Sequence, residues 1–354
     1  MSSMEVFDRS VKMAQRDAAA VAPGAEHYDY LRENIAAILA DRIEDISREF
    51  PLALDVGCHA GHLYKLIAEK AGLGGTGGIG GVRTLVQCDL SAGALLRAQA
   101  AAVTLPEEQR RRVKVSYVQA HPGICCGAVP TAFTLEADEE DLESHFDAST
   151  FDLVLSNLSL HWVNDLPSTL RQIRSILKPD GVFIGAMLGG ETLTELRSCL
   201  LLAEQEREGG MSPHTSPSAH VSDCGNLLAA AGFTIPTVDQ DTFQIEYPNA
   251  FALMEHIQAM GEGNAVLAPR TAVSRDTFLA AAALYQERHG TDSGSVVATF
   301  QVLYMIGWAP HASQPQPKRR GSAQHSLREV GAVSGGAGDA MPAVVRHQHK
   351  RDPQ

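Results

Sequence analysis

The sequence predicts an α/β fold, a mostly parallel β-sheet flanked by helices. Three observations carry this. Over the first 190 residues, short apolar runs of strand length alternate with stretches of helical periodicity, the pattern of a sheet covered on both faces. One of the helices carries start and stop signals at both ends. At 354 residues and 44% hydrophobic content, the chain can fill one large domain or two ordinary ones.

The elements follow in order. Residues 26–48 are helical in pattern, with Leu31, Ile35, Ile38 and Leu39 on one side. "LALDVG" from Leu52 is a short buried strand, and residues 61–71 form a helix turning Leu63, Leu66 and Ile67 inward. A glycine-rich stretch follows, then a second strand, "TLVQCDL", and a second helix, "SAGALLRAQAA". A third strand lies either at "VKVSYV" or at "AFTLEA", with "HPGICCGAVPT" between them as an inserted loop. "FDLVLSN", residues 151–157, is the fourth. In "DLPSTLRQIRSILKPDG", Asp165 caps a helix whose Leu166, Leu170, Ile173 and Leu177 share a face. Lys178 complements its C-terminal dipole, and Pro179 and Gly181 stop it. "VFIGAM" is the fifth strand. After Gly190 come a helix through Leu193, Leu196, Leu200 and Ala203, and a "MSPHTSP" loop. Helices near 222–231, 249–261 and 275–287 then surround a strand near "DTFQIEY", and "VVATFQVLYMIGW" is the last strand. From Pro310 onward Pro, Gly, Ser, Gln and basic residues dominate without periodicity, which predicts disorder.

Composition narrows the function classes. No apolar run approaches the roughly 20 residues that span a bilayer. The formal charge of −13 argues against general affinity for nucleic acid or anionic lipid. Residues 311–354 hold seven Lys/Arg and three Asp/Glu, so residues 1–310 carry −17. The six cysteines show no Cys-x-x-Cys and read as free thiols in a reducing compartment. At the N-terminus Glu5, Asp8 and Asp17 offset Arg9, Lys12 and Arg16, so no transit signature is visible and these residues alone point to the cytoplasm.

Two glycine loops compete for a nucleotide. "GLGGTGGIGG" matches G-x-G-x-x-G but follows a helix, whereas a phosphate or nucleotide cradle needs a strand-to-helix turn. It is read as a flexible insertion. "DVGCHAG" sits in the right place, with Gly57 and Gly61 where backbone must approach a ligand, though His59 stands where glycine is expected. Asp89, ending the next strand, is placed to accept both ribose hydroxyls of an adenosine. His59 with His62, and His145 with Asp147, offer too few ligands for a metal site, so none is assigned.

Taken together, "LALDVGCHAG", "CDLS", "FDLVLSNLSLHWVNDLP" and "ILKPDGVFIGAM" resemble the class I S-adenosylmethionine-dependent methyltransferases. "HWVNDLP", "LKPDGVFIGAMLGGETLTELR" and "EREGGMSPHTSP" further resemble the mitochondrial complex I assembly factors classed as protein arginine hydroxylases of that superfamily. The resemblance runs from Val6 to about Trp308. It implies a helical segment at 1–49, a Rossmann-like cofactor domain at 50–190, and a helical cap with the last strands of that domain at 191–310; the basic tail at 311–354 stands outside it. It implies S-adenosylmethionine as cofactor, with Asp55, Gly57 and Gly61 around its methionine part, Asp89 on the ribose, Asp138 and Glu139 at the adenine, and Asn157 at the reaction side. His161 and His214 are the candidates beside the substrate; their alternatives are a structural histidine next to Trp162 and an exposed loop residue. The implied substrate is an arginine on an iron–sulfur subunit of complex I, in the mitochondrial matrix or peripheral at the matrix face of the inner membrane. Two rivals stay open: an O-methyltransferase of a carboxylate or small metabolite, as in biotin synthesis, and a non-catalytic assembly chaperone with a degenerate cofactor pocket, which His59 and the two insertions motivate.

Overall fold

A computed structural model describes residues 5–70, 77–117, 135–210, 212–214, 216, 219–267, 273–316 and 320–322. The elements belong to a compact unit, Met1–Ala312; a second unit, Ser313–Gln354, follows. The predicted disorder of the tail falls largely outside the described residues, as does the Cys125-Cys126 loop. Among the described residues no helix is long and apolar enough to cross a membrane.

The sheet contains β1 (Leu52–Val56), β2 (Thr84–Asp89), β3 (Lys114–Tyr117), β4 (Leu135–Glu136), β5 (Phe151–Asn157), β6 (Leu177–Leu188), β7 (Thr234–Tyr247) and β8 (Val296–Trp308). Its order is β3-β2-β1-β5-β6-β8-β7, with β4 paired to the end of β2. Pairs among β1 to β6 are parallel, while β8 runs antiparallel between β6 and β7. The order reverses at β1, which lies between β2 and β5. A crevice for a ligand opens at such a switch point, outside the carboxyl ends of the strands.

Alternation along the strands divides the core into two layers. On one face Ala53 and Leu153 pack under α2 (Tyr30–Glu44) and α3 (His62–Glu69), with Leu31, Ile35, Leu39 and Ile67. On the other, Leu54 and Val154 pack under α6 (Leu166–Ile176), with Leu170, Ile173 and Ile176. The remaining helices are α1 (Arg9–Val21), α4 (Ala92–Thr104), α5 (Glu107–Arg112), α7 (Thr194–Glu208), α8 (Val221–Ala230), α9 (Ala250–Ala259) and α10 (Arg275–His289).

Several expectations need adjusting. Both candidates for the third strand form, each pairing a different part of β2. Asp165 caps α6 as expected, accepting from Ser168 N at 3.0 Å, but the helix ends at Ile176. Leu177 already pairs with Phe151, and Lys178 Nζ donates to Asp152 Oδ1 at 2.9 Å rather than serving the helix terminus. The strand foreseen near "DTFQIEY" begins seven residues earlier, because β8 offers it a long antiparallel partner. The described end of the glycine-rich stretch is packed, not loose. A Cβ on Gly78 would lie 2.1 Å from the carbonyl oxygen of Ile67, and Ile79 is buried in the core. It precedes β2, at the opposite end of the strands from the crevice.

Candidate functional site

The crevice is floored by the ends of β1, β2 and β5. Asp55 is 1% exposed, and neither its oxygens nor the side-chain amide of Gln87 beside it closes a hydrogen bond among the described residues. Burial pushes the carboxyl up to about 7, against a pull from Gln87 and with a push from Asp89. Gly57, at φ +69°, lets the loop touch Ser159, whose Oγ would stand 2.1 Å from any Cβ there. Gly61 starts α3.

Asp89, Asp138 and Glu139 converge, and they converge on α1. Arg16, buried at 3% exposure, donates from Nη1 to Glu139 Oε1 at 2.9 Å and to Asp89 Oδ1 at 3.3 Å. Its Nη2 donates to Ser159 Oγ at 2.9 Å. Two turns earlier, Arg9 donates to Asp138 Oδ1 at 2.6 Å, to Glu139 Oε2, and to the Trp162 carbonyl at 3.0 Å. Burial works to raise the Glu139 carboxyl, yet Arg16 and then Arg9 hold it well below the usual range. Asp89 is fully enclosed; besides Arg16 it accepts from Ser91 N and His59 N. The space left beside Arg16, His59 and Arg32 is about 30 Å³, roughly two or three waters.

Between the two arginines, Lys12 is wholly buried. Its Nζ donates to the carbonyls of Gly261 and Gly263 at 3.0 and 2.7 Å and lies 3.3 Å from the centre of the Trp162 ring. Burial brings its pKa down to about 7. Asp8 caps α1, and Asn164 Oδ1 accepts from Val6 N and Phe7 N, so the helix is fixed at its start as well.

His59 is buried at φ +48°, a left-handed position that favours glycine. Burial drives its pKa well down, and the neutral ring lies against the Leu158 carbonyl, 3.2 Å from Nε2. His62 turns instead to Asp29, 3.6 Å away, so the two do not form a metal pair. No group of three or more His, Cys, Asp or Glu among the described residues is arranged to hold a metal, and no step is assigned to one.

His161 and His214 line a second cavity of about 90 Å³, together with Trp162, Glu262 and an apolar wall. His214 is placed by buried Glu204, which accepts from its Nε2 at 2.8 Å and from Ser212 N at 2.7 Å. Asn157 Nδ2 donates to the Arg32 carbonyl at 3.0 Å. Trp162 is buried, and its Nε1 donates to Glu262 Oε2 at 2.6 Å. The residues sequence reasoning missed are Arg9, Lys12, Arg16, Arg32 and Glu262. Arg9, Lys12 and Arg16 stand at i, i+3 and i+7, one face of a helix, and that spacing was the available signal. Glu262 belongs to no motif.

Residues 54–183 match a methyltransferase-domain family. The sequence is 47% identical to "Arginine-hydroxylase NDUFAF5, mitochondrial" of Danio rerio over 93% of this chain and 91% of that protein. It is 45% identical to the Homo sapiens protein of the same name, over 94% and 85%. A malonyl-[acyl-carrier protein] O-methyltransferase of Xylella fastidiosa is 35% identical over 49% of this chain and 56% of its own length. With 47% and 45% identity along most of both chains and the match to a methyltransferase domain, the chain belongs to the NDUFAF5 arginine-hydroxylase family of the methyltransferase superfamily.

Proposed function

We propose that this protein binds S-adenosylmethionine and hydroxylates an arginine on an iron–sulfur subunit of mitochondrial complex I, in the matrix or at the matrix face of the inner membrane. The observation that carries this reading is the 47% identity to an arginine hydroxylase along nearly the whole of both chains. The crevice residues suit an adenosyl ligand. Asp89 would take the ribose, Asp138 and Glu139 the adenine side, and the unpartnered Asp55 with Gly57 and Gly61 the methionine part. Bound there, S-adenosylmethionine would supply an electrophilic sulfonium, with Asn157 the candidate on the reaction side. Because Arg16 encloses Asp89, binding requires α1 to give up that contact.

The chain's own contribution to the chemistry is placement. Hydroxylation turns a C–H bond into C–OH, so an external oxidant such as dioxygen, with a two-electron donor that reduces its second atom to water, would have to enter with the substrate. The second cavity orients the substrate beside His161 and His214, and the apolar wall with buried Trp162 excludes water. A second reading, O-methylation of a carboxylate, is favoured by the partial match to the malonyl-carrier-protein methyltransferase. Co-expression with a complex I iron–sulfur subunit followed by mass spectrometry separates the two. Added oxygen on arginine supports hydroxylation; an added methyl group replaces it with the second reading. Calorimetry tests the pocket: Asp89→Ala abolishes binding of S-adenosylmethionine if the assignment holds, and unchanged affinity refutes it. No heat with the unaltered protein at millimolar ligand favours the chaperone role.

A further inference from the structure

We infer that Glu262 is a positioning residue that fixes the tautomer of His161, and that the bare Nδ1 it leaves accepts the guanidinium N–H of a peptide arginine. The identity of that ligand rests on the proposed hydroxylase reading; the tautomer does not. Glu262 lies just beyond α9, distant in sequence from every methyltransferase motif, yet it collects three donors. Its Oε1 accepts from Arg32 Nη2 at 2.5 Å, and its Oε2 accepts from Trp162 Nε1 at 2.6 Å and pairs with His161 Nε2 at 3.1 Å.

The tautomer follows from that arrangement. An indole and a guanidinium can only donate, so the carboxylate they share is ionised and can only accept. Burial would raise Glu262, but His161, Arg32 and Lys12 hold it well below the ordinary range. The proton shared with His161 therefore sits on Nε2. Burial keeps the imidazole neutral against the pull of Glu262, with Lys12 and Arg16 on α1 adding to the effect. A neutral ring with its proton on Nε2 has a lone pair on Nδ1. That atom is buried, lacks a hydrogen-bond partner among the described residues, and belongs to a side chain lining the second cavity.

An arginine side chain matches such a cavity: a three-methylene stem ending in planar donors. Leu31, Leu196, Ile257 and Phe300 offer the stem an apolar wall. Nδ1 meets one N–H, and the Glu262 charge behind the imidazole favours a cation in front of it. The imidazole's orientation is held through Glu262 by α2 and, through Lys12, by α1.

The test uses the full chain labelled with ¹⁵N-histidine, with His161 assigned by loss of its signals in His161→Gln. Long-range proton–nitrogen correlation at pH 7 should show His161 neutral with the proton on Nε2. A nine-residue peptide with one central arginine should move the Nδ1 signal, and the same peptide with norleucine should not. Glu262→Gln should mix the tautomers and weaken binding of the arginine peptide by about tenfold or more, with recovery in Glu262→Asp. A proton on Nδ1 in the unaltered protein, or equal shifts with both peptides, overturns the inference. If Glu262→Gln does not fold, His161→Gln serves: arginine-peptide affinity equal to that of the unaltered protein also overturns it. Tautomer and peptide shifts as expected, with no oxygen ever added to arginine, uphold the site and remove the hydroxylase reading.

Discussion

Replacing Asp55 by Asn should make the protein more stable and a poorer cofactor binder. Asp55 is 1% exposed, its oxygens have no hydrogen-bond partner among the described residues, and burial lifts its pKa from 3.8 to about 7. A carboxyl raised by folding favours the protonated form in the folded state, so it detracts from stability as pH rises above the unfolded value. The detraction grows by about 1.4 kcal/mol per pH unit between about 4 and 7, reaches about 4 kcal/mol, and is constant above that. Asparagine removes the charge, and its amide can pair with Gln87; an imperfect pair would forfeit 1 or 2 kcal/mol of the gain, by the usual cost of about 1–3 kcal/mol for an unsatisfied group. The expected net gain at pH 8 is about 2–4 kcal/mol, a rise in Tm of roughly 3–5 °C for a chain of this size. At pH 5 the gross term is only about 1.6 kcal/mol, so the advantage should shrink. Thermal melts of both proteins at pH 5 and pH 8 check this. A Tm at pH 8 that is unchanged or lower, or an increment no smaller at pH 5, refutes the reasoning. Calorimetry should show weaker binding of S-adenosylmethionine, the loss of function that accompanies relief of a strained site.

Arg16→Met strips the buried guanidinium from Asp89 and Glu139 and should lower stability without ligand by about 3–5 kcal/mol. The Tm rise produced by S-adenosylmethionine should then exceed that of the unaltered protein, because the ligand no longer has to displace Arg16; equal rises in the two proteins would contradict that displacement. His59→Gly relieves a left-handed backbone worth about 1–2 kcal/mol but gives up the contact with the Leu158 carbonyl, so stability should hold within about 1 kcal/mol. Its calorimetric affinity for S-adenosylmethionine should increase, and an unchanged value would show that the imidazole does not crowd the ligand.

Much of the fold was legible because the central strands are buried on both faces. β5 and β8 have the limits read from their apolar runs, and β1 differs by a single residue. Asp165 announced α6 through a capping rule that needs only local sequence. The end of that helix was misjudged because Leu177 fits the apolar face of α6 and the start of β6 equally well, and its pairing with Phe151 is a tertiary matter. The site was half legible. Asp55, Gly57 and Asp89 stand at strand ends, where motif spacing points, and Glu139 was named through the family resemblance. Arg9, Lys12 and Arg16 looked like ordinary charges offset by neighbouring acids. Their meaning depends on carboxylates and carbonyls more than 70 residues away, which no local pattern reports.

The anchoring of Lys12 also bears on the order in which the protein assembles. Its ammonium is held by the carbonyl of Gly261, 249 residues further along the chain. At a synthesis rate of about 5–20 residues per second, α1 is made roughly 12–50 seconds before that partner exists. The carboxylate partners of Arg9 and Arg16 lie 73 to 130 residues along the chain and exist earlier, so among these contacts that of Lys12 closes last, across a loop of high contact order. Until then the Lys12 ammonium lacks its carbonyl partner and is open to chaperones and to other chains.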